Sequence, residues 1–218
     1  MNKKNLIKEI VVLVFLLVPI IFMFIVWDKL PEKLPVHWNI KGEIDNYGAK
    51  YLYAIINAAL YIVFLVIPKI DPRKKNYTIF SVSYYKLRFI ITLFFSLLFF
   101  MVMYNALYSY IAFDKIFPVG FLFLFALIGN YFGTIRSNYF IGVRTPWTLN
   151  NDEVWKRTHV LAGRLWVYCG IIGGLICLFL NMQLSQYFAV GLIVIMVLVP
   201  IIYSYIYYQK VVKRNVEV

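Results

Sequence analysis

The residues best suited to chemistry in this sequence stand in and just after one polar run, IGVRTPWTLNNDEVW, which extends from Ile141 to Trp155. Arg144 and Glu153 lie within the run, and His159 follows four residues after it. A guanidinium binds anions, while a carboxylate and an imidazole can transfer protons. One hypothesis is therefore a membrane-embedded enzyme whose site contains all three groups. The sequence has no glycine-rich phosphate loop and no GxSxG nucleophile motif, and we therefore expect no enzymatic activity.

The histidines and cysteines do not have the spacing of a metal site. His37 and His159 are the two histidines, and the topology argued below places them on opposite faces of the membrane. No CxxC or HExxH spacing occurs. Cys169 and Cys177 are eight residues apart on one predicted helix, about 12 Å, which is too far for a disulfide. We therefore predict no metal site and no cofactor.

A second polar stretch, DKLPEKLPVHWNIKGEIDNYGAK, occupies residues 28–50. Its prolines hold the backbone extended and its glycines supply turn positions, so we expect a compact, ordered loop. Two readings stay open for its polar and aromatic side chains, an interfacial cap over the helices or a ligand-facing surface. The candidate residues of that surface are His37, Trp38, Asn39, Gly42, Asp45 and Gly48.

Long apolar runs in the sequence flank the two polar stretches and determine their position. With 62% hydrophobic and 15% charged residues, the chain is too apolar to cover itself with a soluble surface. The runs approach or reach the roughly 20 residues that cross a bilayer, and they lack the alternation of barrel strands. We predict an all-α membrane protein, a six-transmembrane-helix bundle. The six spans are 10–27, 51–68, 87–108, 117–133, 161–180 and 188–208.

Basic residues set the predicted orientation. With the N-terminus in the cytoplasm, the net charge of +12 lies entirely inside, and both termini are cytoplasmic. The loop 28–50 is then extracytoplasmic, and a loop of residues 134–160 that contains the polar run is cytoplasmic. The basic character reflects topology and contact with anionic lipid, and nucleic-acid binding is not expected. The basic residues left outside are Lys29, Lys33, Lys41, Lys50 and Lys115.

The spans divide into two predicted units and carry few polar residues. Residues 1–68 form a two-helix unit, and residues 69–218 form a four-helix unit. Glycines at the GxxxG spacing, at 129 and 133 and again at 170 and 174, predict close helix packing within the chain or, alternatively, a homodimer seam. A small transporter or exporter is the alternative function, but it requires a polar line through the bundle. The spans offer only Asn57, Ser96, Asn105 and Asn130.

Local signals predict the conformation of the polar run. Gly142 permits a backbone turn, and Pro146 pushes Thr145 out of the helical region. Arg144 is expected to lie over the Trp147 indole or to hold a lipid phosphate.

A helix restarts after this turn. Asn150 is the predicted N-cap, with Glu153 at the capping-box position. Glu153 and Arg157 also have the four-residue spacing of an exposed helical ion pair.

The same residues carry a family resemblance. Residues 129–170, GNYFGTIRSNYFIGVRTPWTLNNDEVWKRTHVLAGRLWVYCG, resemble the signature of the SdpI bacterial immunity-protein family, which reads IG, a small apolar residue, RTPWTL and then VW. Residues 34–48, LPVHWNIKGEIDNYG, are similar to the short N-terminal domain of unknown function that often accompanies it. The motif positions here are Asn130, Gly142, Arg144, Thr145, Pro146, Trp147, Thr148, Leu149, Val154 and Trp155.

The resemblance implies an integral protein of the bacterial cytoplasmic membrane that protects the cell from a secreted, membrane-active peptide toxin. It also implies a receptor role, in which the protein holds a cognate transcriptional repressor at the membrane when toxin is present. The expected partners are therefore the lipid bilayer, the toxin peptide and the cytoplasmic repressor. The outer-loop candidates would face the toxin.

Overall fold

A computed structural model of the chain describes residues 3–108 and 113–216. Helices dominate it, and the loop between the first two long helices contains a short 3-10 turn and a β-hairpin. The helices are α1 Lys3–Ile25, α2 Leu52–Ile70, α3 Lys74–Ile79, α4 Ser81–Tyr108, α5 Phe113–Phe132, α6 Pro146–Asn150, α7 Asp152–Phe179 and α8 Met182–Val216. The 3-10 turn is Trp27–Lys29, and the strands are β1 Lys33–Trp38 and β2 Ile44–Ala49.

The long helices coincide with the predicted spans. Within the described residues, α1, α2, α4, α7 and α8 are long and apolar enough to cross a membrane. The apolar part of α5, Ile116–Phe132, is shorter, so six spans and cytoplasmic termini stay predictions. Helix α7 begins at Asp152, nine residues before the predicted fifth span, because its first turns are charged and escape a search for apolar runs.

The structure consists of two compact units. The N-terminal unit comprises residues 1–65 and 88–114, and the C-terminal unit comprises residues 66–87 and 115–218. Helix α4 contributes to both, because its first turns belong with the C-terminal unit. The units are described separately below. The division of the sequence after residue 68 stays a prediction.

The N-terminal unit packs the hairpin against the first turn of α2. The Tyr53 hydroxyl donates to the Pro35 carbonyl of β1, and the Tyr53 ring stacks on Phe99 with 5.3 Å between centroids. Lys50 is buried, although the charge balance assigned it to an outer loop. Its ammonium donates to the Trp27 carbonyl at 3.0 Å and lies 4.2 Å from the centre of the Trp27 ring. The outer loop is therefore ordered, as expected.

The turn of the hairpin uses one of the two predicted glycines. Gly42 has a φ of 83°, a left-handed conformation that glycine adopts without strain. Gly48 lies in β2 rather than in a turn, and a Cβ there would stand 2.8 Å from a Val36 methyl group. Its small size therefore serves packing inside the hairpin.

In the C-terminal unit, glycines bring α5 and α7 into close contact. A Cβ at Gly129 would stand 2.6 Å from the Trp166 Cβ, and a Cβ at Gly170 would stand 2.4 Å from the Leu122 carbonyl oxygen. Such distances require glycine, because real Cβ atoms do not approach other atoms this closely. These glycines thus mediate packing within the chain, which was one of the two predicted alternatives.

Helix α8 contains a proline whose missing hydrogen bond is replaced from α7. Pro200 has no N–H, so it leaves the carbonyl of Met196 without its usual helical donor. The Trp166 indole N–H donates to that carbonyl at 2.8 Å. In a membrane, where water is absent, this replacement removes the cost of an unsatisfied carbonyl.

This pairing predicts a coupling between two distant positions in the sequence. Trp166→Phe should lower the free energy of unfolding by about 1 to 2 kcal/mol, the usual range for a hydrogen bond between membrane helices. The cost should shrink in a Pro200→Ala background, because alanine restores the backbone donor. A double-mutant cycle on unfolding in detergent measures the coupling. Equal costs of Trp166→Phe in the two backgrounds would contradict it.

Candidate functional site

The motif residues form one folded structure, here called the polar corner, which comprises residues 134–160 together with residues 71–77. Its centre is the short helix α6. Thr145 is the N-cap and has extended φ and ψ angles of −95° and 159°, as Pro146 predicts. The Thr145 and Thr148 side chains cap each other's backbone N–H groups, at 3.3 and 2.9 Å. Thr148 is fully buried, and its hydroxyl also lies 2.8 Å from the Val143 carbonyl.

Helix α7 begins directly after α6. Asn151 is its N-cap, and the Asn151 side-chain oxygen accepts from the N–H groups of Glu153 at 2.9 Å and Val154 at 3.0 Å. The prediction of Asn150 as the cap is wrong by one residue, because Asn150 still belongs to α6. Val154 is fully buried beneath this junction.

Gly142, His159 and Trp155 hold the turn before α6 against α7. Gly142 has a φ of 108°, and a Cβ there would stand 2.2 Å from His159 Nε2. That nitrogen accepts the Val143 N–H at 3.0 Å, so Nδ1 carries the proton that bonds the Trp155 carbonyl at 2.8 Å. The His159 ring stacks on Trp155, and the Trp155 indole donates to the Ile135 carbonyl at 2.8 Å. His159 therefore acts as a neutral structural residue.

A buried carboxylate connects the two segments of the polar corner. Asp71 is 1% exposed. It accepts the Tyr77 hydroxyl and the Tyr139 N–H, each at 2.9 Å, and the Arg73 N–H at 2.7 Å. Burial raises the pKa of Tyr77, and its hydrogen bond to Asp71 raises it further, so Tyr77 stays a proton donor. Three donors thus stabilise the charge of Asp71.

Asn138 organises the turn that faces Asp71. Its side-chain oxygen accepts from the N–H groups of Phe140 at 3.0 Å and Ile141 at 2.7 Å. Its amide nitrogen donates to the carbonyls of Arg136 at 2.9 Å and Ile141 at 3.1 Å. Asn138 is fully buried, and its side chain replaces the backbone pairing that this irregular segment lacks.

Arg73 and Asn76 hold the other side of the turn. The Arg73 guanidinium donates to the Ser137 hydroxyl and, at 2.6 Å, to the Leu149 carbonyl, and it lies over the Tyr139 ring. The Asn76 amide donates to the Ser137 carbonyl at 2.6 Å. Residues 71–77 therefore bind the loop of residues 134–160 at two places, at Ser137 and Tyr139 and again at Leu149.

Two motif residues make contacts other than those expected. Arg144 donates to the Tyr139 carbonyl at 2.7 Å rather than lying over Trp147. The Trp147 indole donates to Ser204 of α8 at 2.5 Å, and its ring meets Tyr205 edge-on. Of the two alternatives predicted for Arg144, the contact with the Trp147 indole is wrong, because each residue has another hydrogen-bond partner, and the contact with a lipid phosphate stays a prediction. Trp147 joins the polar corner to α8.

A charged side chain makes a second connection to α8. Glu153 accepts the Tyr207 hydroxyl at 2.6 Å and the Arg214 guanidinium at 2.8 Å. Glu153 was expected to pair with Arg157 along one helix, but its hydrogen bonds instead cross to α8. The C-terminal half of α8 is thereby bonded to the same corner at two levels.

The polar corner borders a groove of about 770 Å³ within the C-terminal unit. Polar and charged side chains contribute to its lining, among them Asn76, Ser83, Arg136 and Lys156. The motif residue Asn130 lies elsewhere, exposed beside Gly133 and Arg164 in a smaller cavity. The structure thus brings together the motif residues from Gly142 to Trp155, while Asn130 lines a different surface.

The outer candidates lie together on the hairpin of the N-terminal unit. His37 Nδ1 and Asp45 Oδ1 are 2.5 Å apart, and both side chains are exposed. The Asn39 side-chain oxygen accepts the N–H groups of Lys41 at 2.8 Å and Glu43 at 3.0 Å. Asn39 therefore shapes the turn, while His37 and Asp45 offer polar atoms to solvent.

Comparison with known proteins now bears on this geometry. Residues 134–204, which contain most of the polar corner and its partner Ser204 on α8, match the model of the SdpI/YfhL protein family. This segment is therefore similar to the SdpI/YfhL protein family. Residues 14–65, which include the hairpin, match the model of a domain of unknown function, DUF1648. The resemblance stated from the sequence is thereby confirmed.

The similarity extends beyond the SdpI/YfhL segment. The chain is 27% identical over 214 residues to the protein named immunity protein SdpI of Bacillus subtilis (strain 168), covering 95% of this chain and 97% of that protein. No solved structure matches the chain. Together with the five long apolar helices among the described residues, these similarities support a multi-pass protein of the cytoplasmic membrane.

Four residues of the polar corner were missed by the sequence analysis. Asp71, Arg73, Tyr77 and Asn138 carry much of its hydrogen bonding, and three of them lie more than 50 residues before the motif. One signal was available, since Asp71-Pro72-Arg73 places opposite charges directly after an apolar helix. Charges at such a site need partners when they are buried.

Proposed function

We propose that this protein is a membrane immunity protein that protects the cell from a secreted, membrane-active peptide toxin. The observation that carries the proposal is the similarity to an immunity protein along nearly the whole chain. The structure supports it by uniting most motif residues in one bonded corner rather than scattering them as lipid anchors. Motif residues that bond one another in a single folded element are better suited to a function common to similar proteins than separate lipid anchors are.

In this proposal the hairpin is the surface that meets the toxin. The exposed His37 and Asp45 supply polar groups, while Ile40 and Ile44 beside them are 51% and 41% exposed. A surface that mixes apolar and polar groups suits a peptide that partitions into membranes. With the N-terminus in the cytoplasm, this hairpin lies on the outer side.

The polar corner is the proposed contact for a cytoplasmic transcriptional repressor. The groove beside it offers Arg136 and Lys156 together with Asp152. Charges of both signs favour a protein partner over a simple anion, because complementary charges set orientation and specificity. The same topology puts this groove on the inner side of the membrane.

In this proposal the protein is not an enzyme. The enzyme hypothesis gathered Arg144, Glu153 and His159, but each has a separate structural partner. Arg144 bonds a backbone carbonyl, Glu153 bonds α8, and His159 bonds the turn at residue 143. Groups held in this way support the fold, and the absence of a shared target argues against joint acid–base catalysis.

Survival of toxin-treated cells tests the immunity proposal. The chain is expressed in a Bacillus subtilis strain that lacks its own immunity protein and is exposed to the cognate secreted toxin. Expression should raise the toxin concentration needed for killing at least tenfold. The double variant His37→Ala with Asp45→Ala should lose most of this protection, whereas Lys41→Ala at the turn should keep it. Unchanged killing at membrane levels equal to those of the Bacillus protein contradicts immunity to that toxin.

The repressor contact is tested separately. A double variant, Arg136→Glu with Lys156→Glu, should abolish co-purification of the proposed cytoplasmic repressor when the two proteins are expressed together. Protection from toxin should persist in that variant. Retained co-purification would place the repressor contact elsewhere.

A further inference from the structure

The N-terminal unit contains ionisable side chains that pair within the length of its spanning helices. Arg88 of α4 bonds Glu9 of α1, and the Tyr61 hydroxyl of α2 lies 3.2 Å from the other Glu9 oxygen. The Arg88 guanidinium is also 5.7 Å from the centre of the Tyr61 ring. Arg88 lies seven residues into α4, about 10 Å along the helix. Charged groups at such positions in membrane proteins commonly mark functional sites.

Buried hydroxyl groups continue from Arg88 along the same face of α4. Thr92 and Ser96 follow at steps of four residues, which places them in line on one side of the helix. The two residues are 2% and 3% exposed, and neither hydroxyl has a hydrogen-bond partner among the described residues. Ser96 lies near the middle of the helix, so the polar line reaches roughly half of its length.

Asn57 of α2 is buried at the same level as this line. Tyr53 meets Phe99 and Tyr61 meets Arg88, which fixes α2 antiparallel to α4. Asn57 lies midway between the two tyrosines and is therefore level with α4 residues 92–96. It is 3% exposed, and its side-chain oxygen has no hydrogen-bond partner among the described residues, while its amide nitrogen donates to the Tyr53 carbonyl.

We propose that these groups line a hydrated crevice, a site for water and similarly small hydrogen-bonding solutes. Glu9 marks its open end, because 29% of the Glu9 side chain is exposed. The stacked rings of Tyr53 and Phe99 close the other end, and fully buried Met103 lies beyond them on α4. The crevice enters from the end of the unit that holds the N-terminus and stops near its middle.

Three oxygens without a hydrogen-bond partner among the described residues lie at one level of α2 and α4. A buried polar group without a partner is costly, and native proteins bond nearly all of them, often through ordered water. Three such oxygens on facing helices, continuous with an ion pair, provide the several partners that a bound water needs. If the line were dry, valine, alanine and leucine in place of Thr92, Ser96 and Asn57 would fill similar space without the cost of unpartnered polar groups. The inference does not depend on the proposed immunity function.

Thiol accessibility tests the crevice in the full chain reconstituted in nanodiscs. Thr92→Cys and Ser96→Cys are reacted with a membrane-impermeant, cationic methanethiosulfonate, and peptide mass spectrometry separates the introduced thiols from Cys169 and Cys177. Both should react at least tenfold faster than Val102→Cys, a buried apolar position on the same helix. Reaction no faster than that of Val102→Cys would overturn the crevice.

The unfolding temperature of two further variants provides an independent test of the crevice. Thr92→Val and Ser96→Ala remove the hydroxyls with little change in shape. If water or a solute bonds them, both variants lower the unfolding temperature. A raised unfolding temperature in both variants shows that the hydroxyls were dry and unsatisfied, and it would refute the proposal.

Discussion

Gly142→Ala is expected to disrupt the polar corner and to lower the free energy of unfolding by roughly 2 to 6 kcal/mol. One part is backbone strain of about 1 to 3 kcal/mol, because alanine rarely adopts the φ of 108° found here. The other part is overpacking of similar size, because the new methyl group would stand 2.2 Å from His159 Nε2. Chemical unfolding followed by tryptophan fluorescence in detergent measures the loss, and protection from toxin should fall with it.

Two variants separate local clash from general sensitivity to alanine. Gly191→Ala in α8 adds the same methyl group where no atom lies within 4 Å, so its effect should be neutral or slightly stabilising. His159→Ala makes room for the methyl group, and the double variant with Gly142→Ala should therefore cost less than the sum of the two single variants. Strict additivity would show that the clash with His159 is not responsible.

Asp71→Asn is expected to cost about 3 kcal/mol. Asp71 accepts three hydrogen bonds in a buried site, and an amide can accept only at its oxygen while its NH₂ group faces a donor. Losing a partner of buried charged groups commonly costs 3 to 5 kcal/mol. Residues 134–160 should loosen from residues 71–77, and hydrogen exchange at the Tyr139 amide should accelerate.

The matched control for this charge change is Asp152→Asn. Asp152 is exposed in the first turn of α7, where a carboxylate contributes no more than about 1 kcal/mol through the helix dipole. Tyr77→Phe removes a single donor to Asp71 and should cost about 1 kcal/mol. Similar losses for Asp71→Asn and Asp152→Asn would mean that net charge, and not the buried network, determines stability.

Sequence alone predicted the long helices because hydrocarbon imposes a simple rule on them. A segment that crosses a bilayer must satisfy its backbone internally and present apolar side chains, and both requirements leave uniform apolar runs. The hairpin at residues 33–49 leaves no such signal, since its strands are short and one of them is mostly polar. The helical restart at the beginning of α7 was predicted from its capping signals, but the bonds of Glu153 to α8 were not, because their partners lie more than 50 residues away.

The polar corner was predictable only in its local parts. Thr145, Pro146 and Gly142 act on their immediate neighbours, so residue type was enough to predict the turn and the extended backbone before α6. The Tyr139 amide that donates to Asp71, and the Ser137 and Leu149 groups that accept from Arg73, lie about 65 to 75 residues away. Pairing over that separation depends on how the helices pack, and one sequence contains no direct record of it.

Pro200 separates two parts of α8 that have different attachments. On the N-terminal side, the Met196 carbonyl accepts the Trp166 indole N–H of α7. On the C-terminal side, Ser204 bonds Trp147, and Tyr207 and Arg214 donate to Glu153. A helix bends more readily at a proline, so a displacement of Trp147 would move the C-terminal part of α8, which carries Arg214. Hydrogen bonds thus connect the family motif to the C-terminal basic residues.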